Sequence, residues 1–282
     1  MNKKRIALFA ASLLVLAVFV SVIAFRPDWR FMITDSLYRA FSYAKLEKID
    51  ASALEYEESA GGVPNADQSL MLINSEYPLD ADFSAKICEY KDSTLYFNEC
   101  MTDAYASLSS EVKERFGKKL YVMSAYRTEE EQLDAIEAEG ENAAAVGESE
   151  HQSGLALDVY VSMYAGAGFL KSDVGRYVNS NSWRYGFIIR YPYYAEAETK
   201  MGYEPWHIRY VGIPHAEIIY KNSLSLEEYI ASFAIGDYYG FGEYIITRQS
   251  KLPDRGIKGY DAVSVSSDNT GCYIITYERQ EK

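Results

Sequence analysis

Residues 147–158 read GESEHQSGLALD, and residues 204–209 read EPWHIR. The whole chain has three histidines, and two of them lie in these two stretches. A mononuclear catalytic zinc usually takes three protein ligands from imidazoles and carboxylates, leaves one position for water, and keeps a carboxylate nearby to move the proton of that water. The two stretches contain such a set: His151, Asp158, His207 and Glu204. A lone histidine or His–Asp pair is more often structural or merely exposed, but the four together make a metal-dependent hydrolase the leading hypothesis.

The first stretch leads into a predicted strand. Residues 155–161 read LALDVYV, and the alternation of side chains along a strand puts Ala156, Asp158 and Tyr160 on one face. Gly154 precedes this strand and is expected to permit a tight backbone path into it.

The second stretch requires a bend. Glu204 and His207 are an odd number of residues apart, so on a regular strand they would point to opposite faces. Pro205 is disfavoured in a central strand, which predicts that regular pairing begins at Trp206 or His207. Glu204 is then free to turn toward the same site as His207.

The segments around these motifs predict alternating helices and strands. Apolar residues recur at three- and four-residue spacing between residues 97 and 116 and predict an amphipathic helix that ends near Gly117. Thr128 and Glu131 have the spacing of a capping box and predict a helix that continues to about Ala138. Further helices are predicted at residues 173–183, 214–220 and 226–233, with strands at 120–123 and 187–189. His215, on the helix 214–220, is expected to be structural.

The chain is expected to have four parts. An anchor or signal segment covers residues 1–25, a linker or stalk covers 26–69 and ends in the breakers GGVPN at 61–65, and a catalytic domain covers 70–233. Residues 234–282 contain short strand patterns at 244–247, 262–265 and 273–276, which predict a small β-rich extension.

The N-terminus predicts a location. Three basic residues precede an uncharged, mainly apolar run at residues 6–25, which is about the length that spans a bilayer as a helix. The length favours an uncleaved single-pass anchor in a bacterial cell membrane with the rest of the chain outside, and a cleaved signal peptide with a secreted product is the alternative.

The charge of the chain limits the classes of molecule that it is expected to bind. The formal net charge is −13, and Lys and Arg form no cluster outside the N-terminus. Because binding to phosphates depends on clustered cations, we expect no nucleic-acid partner. A monomer is the default expectation.

Three motifs occur in order along the chain: Ser124-x-Tyr126-Arg127-Thr128, Ser149-x-His151-x-x-Gly154-x-Ala156-x-Asp158 and Glu204-x-Trp206-His207-x-Arg209. Together they resemble the VanY-type D-alanyl-D-alanine carboxypeptidases. These are zinc peptidases related to the VanX-type dipeptidases, and they share a fold with lysostaphin-like enzymes and hedgehog signalling domains. The resemblance covers about residues 70–233. It implies an α+β fold in which a small antiparallel sheet carries a zinc site and is flanked by helices.

The resemblance also implies the role of each site residue. One zinc ion would be held by His151, Asp158 and His207. Glu204 would be the general base, and Arg127 the cation near the scissile carbonyl, where its fixed donors stabilise a developing oxyanion. The implied substrate contacts are Ser149, Gln132 and Tyr126.

Three functions remain open. The first is a zinc D,D-carboxypeptidase that removes the terminal D-alanine from peptidoglycan stem pentapeptides. The second is an L,D-carboxypeptidase that acts on stem tetrapeptides with the same zinc machinery. The third is a non-catalytic cell-wall binding module with a structural zinc, which the presence of Glu204 and Arg127 disfavours.

Overall fold

The computed structural model describes residues 9–280 except 10, 15, 16, 18, 19, 22, 23, 59–65, 92, 141 and 142. The helices are α1 (Pro27–Phe41), α2 (Thr102–Phe116), α3 (Glu129–Glu139), α4 (Asp173–Asn181), α5 (Glu196–Thr199), α6 (His215–Asn222) and α7 (Leu226–Ala231). The strands before residue 220 are β1 (Glu47–Ile49), β2 (Tyr56–Glu58), β3 (Ile87–Glu89), β4 (Tyr96–Asn98), β5 (Tyr121–Ser124), β6 (Ala156–Tyr160), β7 (Phe187–Ile189) and β8 (His207–Tyr210). Those after it are β9 (Tyr238–Phe241), β10 (Tyr244–Gln249), β11 (Arg255–Ile257), β12 (Tyr260–Ser267) and β13 (Tyr273–Arg279). Short 3-10 helices occur at Ala51–Ala53, Glu99–Met101, Glu150–Ser153, Gly166–Lys171 and Ser182–Tyr185.

A four-stranded antiparallel sheet lies at the centre of the chain, with the strand order β5-β6-β8-β7. In the register of this sheet Asp158 is paired with Ser124 on one side and with His207 on the other. Strand β8 begins at His207, so the start of pairing predicted from Pro205 is confirmed. The mixed fold of helices and small antiparallel sheets is confirmed as well.

Local sequence signals fix the ends of two helices. Helix α2 buries Tyr105, Leu108 and Val112 and ends at Phe116, which confirms the predicted end near Gly117. Gly117 caps the helix with a left-handed φ of 63°. Helix α3 begins with the predicted capping box of Thr128 and Glu131. The helix predicted from residue 97 starts later, because residues before Thr102 form β4 and a 3-10 turn.

Gly154 takes the tight path expected of it. Its φ is 71°, and a Cβ there would lie 2.9 Å from the backbone nitrogen of Asn98. That nitrogen donates a hydrogen bond of 2.8 Å to the carbonyl of Gly154. The absence of a side chain therefore lets β4 approach the turn that leads into β6.

The C-terminal region forms a second antiparallel sheet, with the order β1-β9-β10-β13-β12. The three strands predicted in this region are confirmed, each longer than its apolar run. One face of the sheet places Ile246 and Ile274 against the helices α6 and α7, in a core that includes Ile219 and Tyr229. The other face buries Ile245, Val265, Ile275 and Tyr277.

Part of the predicted linker at residues 26–69 has regular structure. Helix α1 buries Phe31, Asp35 and Arg39, and the hydroxyl of Tyr220 donates a 2.6 Å hydrogen bond to Asp35. Strand β1 joins the C-terminal sheet, and β2 pairs with β11. The predicted breakers at 61–65 lie outside the described residues. The division of the chain into 1–25, 26–69, 70–233 and 234–282 stays a prediction.

The predicted membrane anchor requires a correction. A bilayer span needs about 20 consecutive apolar residues in one helix. Within the ranges given above, no helix has the length and apolar character to cross a membrane, although part of the run at 6–25 lies outside them. The single-pass membrane location and the membrane contact predicted from that run are therefore wrong on this finding.

Candidate metal centre

Three predicted ligands converge at one end of the central sheet. Asp158 and His207 are cross-strand neighbours on β6 and β8. His151 lies on the 3-10 turn Glu150–Ser153 that precedes β6, and its ring lies edge-on to that of His207 with the ring centres 5.0 Å apart. Candidate ligand atoms of the three residues all lie within 4.8 Å of one another, and all three residues are buried.

Two of the distances between these groups are close to those expected between ligands of one tetrahedral metal ion. Nε2 of His151 lies 3.3 Å from Oδ2 of Asp158, and Nδ1 of His207 lies 3.1 Å from Oδ1. Ligands about 2.0 Å from a tetrahedral centre are about 3.3 Å from each other. Oδ1 of Asp158 is buried and accepts no hydrogen bond within the described part of the chain. Close ligand atoms without a hydrogen bond to join them are the arrangement expected around a shared cation, and the imidazole and carboxylate donors suit zinc.

Hydrogen bonding fixes the orientation of His151. Its Nδ1 lies 2.8 Å from the carbonyl oxygen of Ala125, an acceptor, so Nδ1 carries the proton and Nε2 presents its lone pair toward Asp158. A backbone carbonyl behind a metal-binding histidine is a common way to fix the tautomer of the ring.

The electrostatics of the centre also favour a cation. Burial opposes ionisation of Asp158, but the facing imidazoles hold its pKa well below the usual range. Burial likewise opposes protonation of His207, yet the surrounding carboxylates raise its pKa to about 9. Burial lowers the pKa of His151. The carboxylates of Asp158 and Glu204 both lie next to the imidazole of His207, and a divalent cation bound there would offset their charge.

Glu204 reaches the same place by the predicted bend. The backbone nitrogen of His207 donates a 3.1 Å hydrogen bond to the carbonyl of Glu204, which closes a turn around Pro205. Oε2 of the Glu204 carboxylate lies 3.7 Å from Nδ1 of His207. Because this carboxylate borders the ligand cluster and keeps part of its surface exposed, it is placed to exchange protons with a substrate.

Arg127 approaches the centre from the loop that follows β5. Its backbone nitrogen donates to the carbonyl of His151 at 3.1 Å, and its Nε donates to Oγ of Ser124 at 2.9 Å. Nη2 lies 3.6 Å from Oδ2 of Asp158. The guanidinium is thus held beside the ligand cluster with part of its surface open.

The three predicted substrate contacts occupy different surroundings. Gln132 is buried, its Oε1 accepts from Nη1 of Arg127 at 3.3 Å, and its Nε2 donates to the carbonyl of Ala144 at 2.8 Å. Ser149 is buried directly before the turn that carries His151, and Tyr126 is half-buried beside Arg127. Gln132 therefore supports Arg127, and substrate binding by all three residues stays a prediction.

A buried ion-pair cluster behind the metal centre was not predicted. Glu150, next to His151, accepts hydrogen bonds from Nε of Arg190 at 2.6 Å and from Nη1 of Arg209 at 2.5 Å. The sequence offered one signal, since alternation on β8 places Arg209 on the same strand face as His207. Nothing in the sequence pairs Glu150 or Arg190 with that site, because residues 40 positions apart meet there only through the fold.

Comparison with known proteins places the chain in a family. The family model for VanY, D-alanyl-D-alanine carboxypeptidase, matches residues 94–213, a span that contains all of the residues predicted for the site. A D-alanyl-D-alanine carboxypeptidase of Enterococcus faecium is 32% identical over 272 residues, which cover 84% of this chain and 88% of that relative.

Solved structures of related proteins agree with this placement. A point variant of the vancomycin-resistance D,D-pentapeptidase VanY from a VanB-type cassette, in complex with Zn(II), is 33% identical at a TM-score of 0.52 and covers 57% of this chain and 98% of its own. The L,D-carboxypeptidase LdcB is 30% identical at a TM-score of 0.52 and covers 63% of this chain and 94% of its own. On the sequence likeness, with the structural likeness in support, the chain belongs to the VanY family of D-alanyl-D-alanine carboxypeptidases.

Proposed function

We propose that the chain is a zinc-dependent D,D-carboxypeptidase that removes the C-terminal D-alanine from peptidoglycan stem pentapeptides. The observation that carries this proposal is the cluster of His151, Asp158 and His207, within 4.8 Å of one another, with Glu204 and Arg127 at its rim. The Enterococcus faecium relative, which the chain matches over most of both lengths, is named a D-alanyl-D-alanine carboxypeptidase, and the VanB-type relative holds Zn(II).

The proposed ligands are His151, Asp158 and His207. Zinc bound there would polarise the scissile carbonyl and lower the pKa of water toward neutrality. Glu204 would take a proton from the attacking water at its carboxylate and return it to the nitrogen of the leaving D-alanine. Its Oε2, 3.7 Å from Nδ1 of His207, lies close enough to the ligand cluster for this transfer.

Arg127 would supply the oxyanion contact. Ser124 and Gln132 hold its Nε and Nη1, so the guanidinium donates from a fixed position rather than from a mobile side chain. Fixed donors aimed at the atom where charge develops stabilise the transition state more than the ground state. Ser149, Gln132 and Tyr126 are the proposed contacts to the substrate terminus, and a monomer is the proposed state.

An L,D-carboxypeptidase that acts on tetrapeptides is the second candidate. The similarity to LdcB, which is named an LD-carboxypeptidase, favours it. The two activities share the metal machinery and differ in the part of the substrate pocket that contacts the penultimate residue of the peptide. A binding module without turnover has less support, because a structural zinc needs neither Glu204 nor Arg127.

A product assay separates these functions. The purified chain is incubated with a defined stem pentapeptide or tetrapeptide, with added zinc or with chelator, and the products are identified by mass. We expect release of one D-alanine from the pentapeptide, which chelator abolishes. Cleavage of the tetrapeptide alone would favour the second candidate, and intact peptides with zinc-loaded protein would favour the binding module.

We also propose that residues 70–233 form the catalytic unit and that residues 234–282 support it. The C-terminal sheet packs on α6 and α7, which follow β8 in the chain. Deletion of residues 234–282 would expose this apolar surface, so we expect loss of soluble protein rather than a selective loss of turnover.

A further inference from the structure

Glu150 is a buried carboxylate for which the proposed reaction has no use. It lies on the same short turn as His151, and only 1% of its surface is exposed. One of its oxygens, Oε1, accepts from both Arg190 and Arg209 at 2.6 and 2.5 Å. A buried charge is costly unless it is paired, and two arginines on one oxygen provide that pairing.

The other oxygen faces His207. Oε2 of Glu150 lies 3.8 Å from Nε2 of His207, the ring nitrogen opposite the one that faces Asp158. Both atoms are buried, and neither has a hydrogen-bond partner among the residues that the structure describes. Buried polar atoms are nearly always satisfied, so two such atoms that face each other form a natural donor and acceptor pair.

The arginines keep Glu150 in place and ionised. Arg190 also donates to Glu227 on α7 at 3.0 and 2.6 Å. Arg209 also donates to the carbonyls of Ser69 and Met71 at 3.1 and 2.7 Å. The two guanidinium groups, both donating to Oε1, pair the negative charge of this buried carboxylate. An ionised carboxylate can only accept a hydrogen bond, so the atom that faces it must donate.

We propose that Glu150 is a positioning residue that accepts the Nε2 proton of His207 and so directs Nδ1 of that ring toward the zinc. A carboxylate behind a metal-binding histidine fixes its tautomer and orientation and makes the ring a stronger ligand. The ring of His207 is then held from both sides, by Glu150 behind and by the ligand cluster in front.

A purely structural role for Glu150 predicts a different outcome. If Glu150 only neutralises Arg190 and Arg209, its replacement would lower stability but leave zinc binding by the folded protein unchanged. Glu227 supplies the matched control, because it also pairs with Arg190 but no contact links it to His207 within the described residues.

The first test compares Glu150→Gln with Glu227→Gln in the full chain. The amide in E150Q presents either an uncharged acceptor or an NH2 donor to Nε2 of His207, so the ring loses its charged acceptor. We expect the zinc dissociation constant of E150Q, measured by competition with a chromophoric chelator, to rise about 10- to 100-fold. E227Q should bind zinc within about threefold of the wild type, since its contacts do not reach His207. Equal affinities of E150Q and wild type, or equal losses in the two variants, would overturn the proposal.

The second test needs no variant and therefore remains decisive if E150Q does not fold. Nitrogen-15 NMR of the imidazoles in the zinc-loaded wild type reports which ring nitrogen of His207 carries the proton. We expect a proton on Nε2 that exchanges slowly with solvent, and a proton on Nδ1 would overturn the proposal. The inference rests on the proposed zinc site, but neither readout requires peptide cleavage, so its failure is distinct from a failure to release D-alanine.

Discussion

At the scale of single residues, the sequence predicted which side chains meet at the metal centre but not the buried charged residues that contact them. His151, Asp158 and His207 lie together as expected because the strand register brings distant parts of the chain side by side. Glu150 was missed because a charged residue in a polar motif gives no sign that it will be buried. Its burial depends on Arg190 and Arg209, whose charges reach it only through the fold.

Arg127 gives a prediction about catalysis. In Arg127→Lys the positive charge remains, but the Nε and Nη1 donors that hydrogen-bond to Ser124 and Gln132 are lost. We expect kcat for release of D-alanine to fall by about 10²- to 10³-fold, with the zinc content unchanged. Arg184→Lys, at an exposed position, is the control and should keep wild-type kcat. Wild-type turnover by Arg127→Lys would remove Arg127 from the proposed oxyanion contact.

At the scale of elements, local signals were reliable where one residue fixes the backbone. The capping box starts α3, Gly117 ends α2, and Pro205 delays β8 until His207. Strands β9 and β11 were missed because they are short and lack a long apolar run, and β11 pairs with a strand far away in the chain. Long-range pairing, rather than local propensity, decides such strands.

Gly154 gives a prediction about stability. In Gly154→Ala the alanine would have to keep the left-handed φ of 71°, and its Cβ would lie 2.9 Å from the backbone nitrogen of Asn98. We expect the free energy of unfolding, measured with denaturant, to fall by about 3 kcal/mol or more. Gly117→Ala has a similar φ with no atom within 4 Å of the new Cβ, so it should lose only about 1 kcal/mol. Equal losses would show that the close approach of β4 is not what requires glycine.

His215 gives a prediction about pH. It lies on α6, with Nδ1 2.6 Å from the hydroxyl of Tyr229 and Nε2 2.9 Å from Oγ1 of Thr276 on β13. Burial lowers its pKa from the ordinary 6.5 to about 3. Between these two pKa values His215 is protonated in the unfolded chain but neutral in the folded chain, so the free energy of unfolding falls as the pH falls.

The expected slope is about 1.4 kcal/mol per pH unit for this one group. His215→Gln should therefore unfold with a weaker pH dependence between about pH 6 and about pH 4, even if it is less stable at neutral pH. The free energy of unfolding of both proteins, measured in chelator, checks this. A wild type and variant with parallel pH profiles would contradict the buried neutral state of His215.

At the scale of the whole molecule, the catalytic region was predicted better than what surrounds it. The segment 26–69, which ends in the breakers at 61–65, is predicted to be a linker, yet α1 packs through Phe31, Asp35 and Arg39. Two of these three buried residues are charged, so an apolar stripe could not reveal the buried face. The ion pair between Arg39 and Asp35 and the hydrogen bond from Tyr220 satisfy those charges only in the folded protein.

Zinc is expected to stabilise the whole fold, because its proposed ligands come from β6, β8 and the turn before β6. At a free zinc concentration about 100 times the dissociation constant, the gain in the free energy of unfolding is about 2.7 kcal/mol. Thermal unfolding of the wild type with zinc and with chelator measures this gain. His207→Ala should show little difference between the two conditions, and an equal shift in that variant would place the ion elsewhere.

Glu204 tests the central claim most directly. The measurement is the rate of D-alanine release from stem pentapeptide by wild-type and Glu204→Gln proteins, each shown to carry one equivalent of zinc. We predict steady release by the wild type and a rate at least about 10²-fold lower for the variant, because the proton carrier is lost while the ligands remain. Equal rates from the two zinc-loaded proteins, or no release by the wild type, would contradict the proposed reaction.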